Sequence, residues 1–284
     1  MRLTTFVSDN GPRAGVLAAD GLVDAWQLLD HPTRSSLREL LHEDLLGDLA
    51  TRLEAGTPSE AIDPASVEIL APIPDPEKII CIGLNYRAHA AETNQEIPRA
   101  PIIFGKYSNA LVGDGQTVTL PPASDKVDYE AEVAVVIGRR ACRVAIDDAL
   151  EYVAGYTLMN DLSARDLQGL TSQWMAGKVF DGSAPCGPCL ITPDEVGPHD
   201  AIGISLVLNG EEMQNSSTDD LIFHIPELIS RISEWMTLEP GDIISTGTPS
   251  GVGMARKPWV WLEDGDEVSV KSPQLGELRT KIKR

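Results

Sequence analysis

The stretch KVDYEAEVAVVIG, Lys126 to Gly138, places three carboxylates at alternate positions: Asp128, Glu130 and Glu132. Successive side chains of a strand point to opposite faces. All three acids therefore share a face with Ala134 and Val136, while Tyr129, Ala131, Val133 and Val135 take the other. The plainest reading is a strand whose first half lies in solvent. Against it, like charges one pleat apart repel, and a row of them leading into a buried run is costly unless a cation neutralises it. A metal ion would do so.

Three more segments carry polar groups out of place. CIGLNYRAHAAE, Cys81 to Glu92, follows a strand-like run and sets His89 and Glu92 three apart on one helical face. NDLSARDLQ puts Asp161 at the end of another strand, followed by Arg165 and Gln168. TGTPSGVG, Thr246 to Gly253, is glycine-rich but lacks the Gly-Lys-Ser/Thr of a phosphate-binding loop, so nucleotide binding is not indicated. Singly, His89 reads as an ordinary surface histidine and Asp161 as a turn former.

The elements that must position these groups are mostly strands. From Lys78 onward short β-rich runs alternate with Gly and Pro: IICIG, PIIFGK, QTVTL, EVAVVIG, YTLMND, ISLVLNG, DIISTG and DEVSVKS. Helical patterns interrupt them at about Ile146–Val153 and Leu221–Trp235, the latter with Leu221, Leu228, Ile232 and Trp235 on one face. Residues 1 to 71 read as a small α+β unit, with strands at Leu3–Val7 and Gly15–Leu17 and a helical stretch over Ser36–Leu53. The prolines of Ala71–Glu77 exclude helix and place a boundary there, leaving 72–284 as the larger domain.

Composition narrows the possibilities. The chain of 284 residues is 42% hydrophobic, enough for a substantial core. No apolar run reaches the roughly 18 residues of a membrane span, and MRLTTFVSDNG lacks the apolar core of a signal peptide, so a cytoplasmic protein with no membrane partner is expected. A formal charge of −20 disfavours nucleic acid and anionic membranes. It also requires that a site for an anionic ligand be locally positive. Cys186 and Cys189 form a CxxC, yet Pro185 precedes them, Leu190–Thr192 is strand-like and Pro193 follows. No helix is expected to start there to activate a thiol, and small buried thiols fit better than redox or zinc chemistry.

Taken together, GLNYRAHAAE, DYEAEVAVVIG, GYTLMNDLSARDLQ, GKVFDGSAPCGP with Lys178, and GDIISTGTPSGVG closely resemble the fumarylacetoacetate hydrolase family over residues 78–284. The resemblance implies a mainly β fold with α elements, a β-roll or barrel-like sandwich behind a small N-terminal α+β domain, commonly a homodimer. It makes Glu130, Glu132 and Asp161 ligands of Mg²⁺ or Mn²⁺, in keeping with hard oxygen donors and no Cys or His among them. Asp128 is then solvated or packed behind the ligands. The implied substrate is a small anionic 2-oxo acid, held by Arg87, Arg165, Gln168 and Thr248, with Lys178 facing the developing oxyanion. His89 oriented by Glu92 is the implied base, on a lid that includes Ala90–Pro98. Hydrolysis of a C–C bond in a 2,4-dioxo acid is the leading expectation. Oxaloacetate decarboxylation, or isomerisation or hydration of 2-hydroxy-dienoates, would use the same enolate chemistry. Phe104, Lys106, Tyr107 and Phe180 are candidates for the wall that selects the acyl side.

Overall fold

Ala131–Ile137 is buried at every position, which explains why its sequence is apolar on both faces after Glu132. Val133, Val135 and Ile137 pack into one core, and Ala134 and Val136 into another. The strand lies in the middle of a layered structure. The computed structural model describes residues 1–56 and 61–284.

Among the described residues, 11 strands form one sheet. Its main path runs Gly21–Asp24, Gly11–Ala18, Arg2–Ser8, Ala184–Ile191, Val153–Asn160, Ala131–Ile137, Ile243–Ser245, Ile79–Gly83 and Ile102–Lys106. A second sheet of five strands has the order Glu211–Ser217, Gly203–Leu208, Glu267–Ser272, Gly276–Lys283 and Thr117–Thr119. Ile204, Leu206, Val268, Val270 and Leu278 of the second sheet meet Val133, Val135, Tyr156 and Leu158 of the first. Trp26, Leu37, Leu40, Leu41 and Leu49 cover the opposite face. The fold is mainly β and sandwich-like, and neither sheet closes into a barrel.

Strand pairing crosses the expected boundary near residue 71. Arg2–Ser8 pairs with Ile69–Leu70 and with the distant Ala184–Ile191, so the N-terminal strands extend the large sheet. Several element bounds also move. The acidic stretch is two strands, Val127–Asp128 and Ala131–Ile137, with Glu130 between them. The expected helix over 221–235 begins at Ile225, where Pro226 fits the first turn because its missing N–H has no partner to lose. Leu228, Ile229 and Ile232 are its buried face, while Trp235 is 52% exposed. The stretch over 36–53 is two helices, Leu37–His42 and Leu46–Glu54, and Ile146–Tyr152 is 3₁₀ rather than α.

The CxxC lies within the Ala184–Ile191 strand. A one-turn helix does begin at Pro193, contrary to expectation, but beyond both thiols. Burial pushes the Cys186 thiol up to about 12, and burial together with nearby acids pushes Cys189 up to about 11. Cys81 is also buried and raised, whereas Cys142 is exposed. Alkylation of the native protein at mildly alkaline pH is therefore expected to modify Cys142 alone, with Cys81, Cys186 and Cys189 reacting only after denaturation. Mass spectrometry of the alkylated chain checks this, and rapid native labelling of Cys186 or Cys189 would contradict it.

Candidate active site

Four neighbouring strands end at one edge of the large sheet and bring the predicted residues together. Val153–Asn160 delivers Asp161 at its C-terminal end, and the antiparallel Ala131–Ile137 delivers Glu130 and Glu132 at its N-terminal end. Ile243–Ser245 leads into the Gly-rich loop, and the parallel Ile79–Gly83 leads towards the helix Arg87–Glu92. The loop must turn sharply to avoid Ile82 and Asn85. Gly247 does so at φ 100°, where a side-chain carbon would lie 2.9 Å from Ile82 O and from Asn85 Cβ.

Glu130, Glu132 and Asp161 are all buried, and one carboxylate oxygen from each lies within 4.8 Å of the others. At that separation two like charges repel by about 3 kcal/mol at an effective dielectric constant near 20. Cations balance part of this. Lys178 Nζ donates to Glu130 Oε2 and Asp161 Oδ2, at 2.7 Å each. Arg165 donates to Asp128 Oδ2 at 2.9 Å and to Glu130 Oε1 at 2.6 Å. Burial works to raise the Glu130 carboxyl, but Arg165 and then Lys178 hold it well below the usual carboxylate range. Burial works to lower Lys178, but Asp161 and Glu130 raise it, which favours the charged ammonium.

Among the described residues no cation is in ion-pair contact with Glu132, and Lys178 acts on it only at longer range. Ser245 Oγ and the Gly247 amide donate to its Oε2 at 2.5 and 3.0 Å. Burial, then Asp161 and Glu130, push its carboxyl up to about 8. Asp161 Oδ1 lies 2.8 Å from Lys106 Nζ but has no aligned hydrogen-bond donor. A buried carboxyl driven up by two acidic neighbours, beside an under-satisfied carboxylate oxygen, is a donor set short of positive charge. All its donors are hard oxygens, which suits a divalent cation such as Mg²⁺ or Mn²⁺.

Across the cavity His89 Nδ1 is 2.8 Å from Glu92 Oε1. Both Glu92 oxygens also accept from the Gly251 amide, at 3.1 and 3.0 Å, so this carboxylate acts as an acceptor and His89 Nδ1 carries the proton. In the neutral ring this leaves Nε2 as the acceptor. The helix is held at its other end too, where Asp220 Oδ2 accepts from the Ala88 amide at 3.0 Å and Arg87 donates to the carbonyls of Asp220 and Leu221. His89, Glu92, Glu130, Glu132, Arg165, Gln168, Lys178 and Thr248 line one cavity of about 540 Å³.

One expectation needs correcting. Arg87 does not line this cavity; its guanidinium fastens the helix instead. Of the two expectations for Asp128, packing behind the other acids holds and solvation does not. Asp128 is fully buried, pairs with Arg165, and accepts from the amides of Gly253 and Met254 at 2.7 and 3.1 Å. Arg165 does line the cavity, but its N–H groups are directed at Asp128, Glu130 and Gln168 Oε1.

The 78–283 segment matches the family described as fumarylacetoacetate (FAA) hydrolase C-terminal. The chain belongs to the fumarylacetoacetate hydrolase family. It is 40% identical over 288 residues to the bovine (Bos taurus) protein named oxaloacetate tautomerase FAHD2A, mitochondrial, covering 99% of this chain and 91% of that one. The fumarylacetoacetate hydrolase of Exiguobacterium antarcticum superposes with a TM-score of 0.84 at 31% identity, covering 100% of this chain and 99% of that one. Maleylpyruvate hydrolase from Sphingobium sp. SYK-6, in complex with manganese(II) and pyruvate, superposes with a TM-score of 0.80 at 31% identity and the same coverage. Across the family fold of this chain, no described helix is long and apolar enough to cross a membrane.

Sequence reasoning gave Lys106 only a wall position. Its side chain is fully buried, and the three N–H groups of Nζ are shared among Ser183 O and Ser183 Oγ at 2.9 and 3.0 Å, Leu162 O at 3.4 Å and Lys178 O, with Asp161 Oδ1 also in ion-pair range. It ties the segment carrying Asp161 to the segment carrying Lys178. The available signal was a lysine closing an otherwise apolar strand, IIFGK. Removing one partner of a buried ion pair costs about 3–5 kcal/mol, and Lys106→Met is expected to destabilise the metal-free protein by that amount. Saturating Mn²⁺ should recover a clear part of the loss, because the divalent charge takes over the neutralisation of Asp161. Denaturant unfolding with and without Mn²⁺ checks this; an equal loss in both conditions would contradict it.

Proposed function

We propose that this protein is a divalent-metal-dependent enzyme that moves protons on a small 2-oxo acid, with keto–enol interconversion of oxaloacetate as its reaction. The observation that carries the reading is the placement of the His89–Glu92 pair and the Lys178–acid cluster on the lining of one cavity. Resemblance to a named oxaloacetate tautomerase over nearly the whole chain supports the choice of reaction. Mg²⁺ or Mn²⁺ held by Glu130, Glu132 and Asp161 would supply chelation of the 2-oxo carboxylate and polarisation of its oxo group.

The chain's own residues account for the rest. His89 Nε2 takes the proton from the carbon next to the oxo group, and Glu92 steadies the imidazolium that results. The C–H bonding pair becomes the C=C bond and the carbonyl π pair moves onto the oxo oxygen, where the ammonium of Lys178 offsets the growing negative charge. Returning the proton to that oxygen gives the enol, and the reverse sequence gives the ketone. Among the neutral polar groups on the lining, Gln168 and Thr248 orient the substrate, Thr248 being fixed by Gln214 Nε2 at 2.8 Å.

A second reading, hydrolysis of a 2,4-dioxo acid to pyruvate and a carboxylate, is favoured by the same histidine. A base able to accept a carbon-bound proton can also activate water, and the maleylpyruvate hydrolase likeness supports this use. Following the ultraviolet absorbance of enol-oxaloacetate, and pyruvate release from acylpyruvates in parallel, separates the two. Faster enol decay without acylpyruvate cleavage is the expected result with Mg²⁺. His89→Ala should lower it by at least about a hundredfold, with EDTA abolishing it. Comparable cleavage of acylpyruvates would favour hydrolysis, and absence of both activities would contradict the proposal.

A further inference from the structure

Beside the charged cluster, the cavity lining changes character. Lys178 Nζ lies 4.8 Å from the centre of the Phe104 ring, and the Trp174 indole meets that ring edge to face at 5.5 Å and 66°. Trp174 fits against the bare Cα of Gly83. A methyl group built there would lie 2.7 Å from the indole Cη2 and closer still to Cζ3, so only glycine leaves room for the ring. Ile82 and Leu84 continue the apolar lining. A strip of uncharged surface thus runs from the Lys178 ammonium across Phe104 to Trp174.

Two facts about this strip bear on what can lie along it. A cavity of about 540 Å³ is much larger than a four-carbon acid needs and falls within the range of pockets that enclose drug-sized ligands. Among the described residues lining it, Arg165 and Lys178 are the only arginine and lysine, and both are ion-paired with acids. A longer substrate with a second carboxylate at this end would lose its hydration without gaining a free cation. An aromatic arm would stack or edge against two rings and lose little.

We infer that Phe104 and Trp174 form a second subsite which accepts an uncharged planar arm on a longer 2-oxo acid, and that Trp174 on Gly83 is the residue that determines this preference. The inference rests on the proposed chelation of the 2-oxo carboxylate at the acid triad. It adds a second class of ligand to the oxaloacetate reading, since the four-carbon acid ends before it reaches Trp174.

The test compares three probes on the Mn²⁺-loaded protein by titration calorimetry: pyruvate, 2-oxoglutarate and 2-oxo-4-phenylbutanoate. The last two share the chelating end and two methylenes and differ only in a terminal carboxylate or phenyl ring. The phenyl acid is expected to bind about tenfold or more tightly than 2-oxoglutarate. Trp174→Ala should reduce that ratio to within about threefold while leaving the Kd for pyruvate unchanged. Binding of pyruvate with no preference for the phenyl arm in the unaltered protein would overturn this inference alone. Failure of pyruvate itself to bind would overturn the chelation reading and the inference with it. An unchanged ratio in folded Trp174→Ala would remove Trp174 as the determinant.

Discussion

The site depends on keeping several negative charges close together inside the protein. Asp128, Glu130, Glu132 and Asp161 are buried at one sheet edge, against three buried or nearly buried cations, Lys106, Arg165 and Lys178. Burying unpaired charge is so costly that each acid is held by a cation or by backbone amides wherever one can reach it. Glu132 is held by a serine hydroxyl and one amide but by no cation contact, and its carboxyl accordingly resists ionisation. A divalent cation held by Glu130, Glu132 and Asp161 would complete the balance and turn the acidic cluster into a locally positive surface, as the proposed anionic substrate requires on a chain whose formal charge is −20.

The large sheet exists in the form that this cluster requires. Antiparallel pairing of Ala131–Ile137 with Val153–Asn160 puts Ala131 opposite Asn160, and so Glu130 and Glu132 beside Asp161. Asn160 reinforces the register by accepting from the Glu130 amide at 3.0 Å. Both faces of these strands are covered, by the second sheet on one side and the N-terminal helices on the other. A one-residue slip would bury different side chains throughout and move the acids apart.

The acidic cluster was legible in the sequence only in part: alternation marked Asp128, Glu130 and Glu132 alike, and it was the family resemblance that singled out Glu130 and Glu132 with Asp161, the three acids that the structure brings together. The His89–Glu92 pair was legible, since three-residue spacing on a helix is a local pattern. The supporting contacts were not. Asp128 finds its amides at Gly253 and Met254, and Lys106 finds its carbonyls at Leu162, Lys178 and Ser183, all far away along the chain. Arg87 has the charge to hold a carboxylate, and only the fold shows it spent on fastening a helix. Trp174 carries no sequence signal, because its place depends on the absence of a side chain at Gly83. Element types were mostly readable from periodicity, whereas their bounds shifted where prolines and the Glu130 break intervened.

Direct titration of Mn²⁺ into the metal-free protein, with and without oxalate, bears most closely on this picture. One ion per chain should bind, oxalate should tighten it, and by linkage the ion should tighten oxalate by the same factor. Asp161→Asn should weaken the ion severely in a protein that still folds. Absence of saturable binding, or binding indifferent to both oxalate and Asp161→Asn, would contradict a substrate-chelating metal centre at Glu130, Glu132 and Asp161.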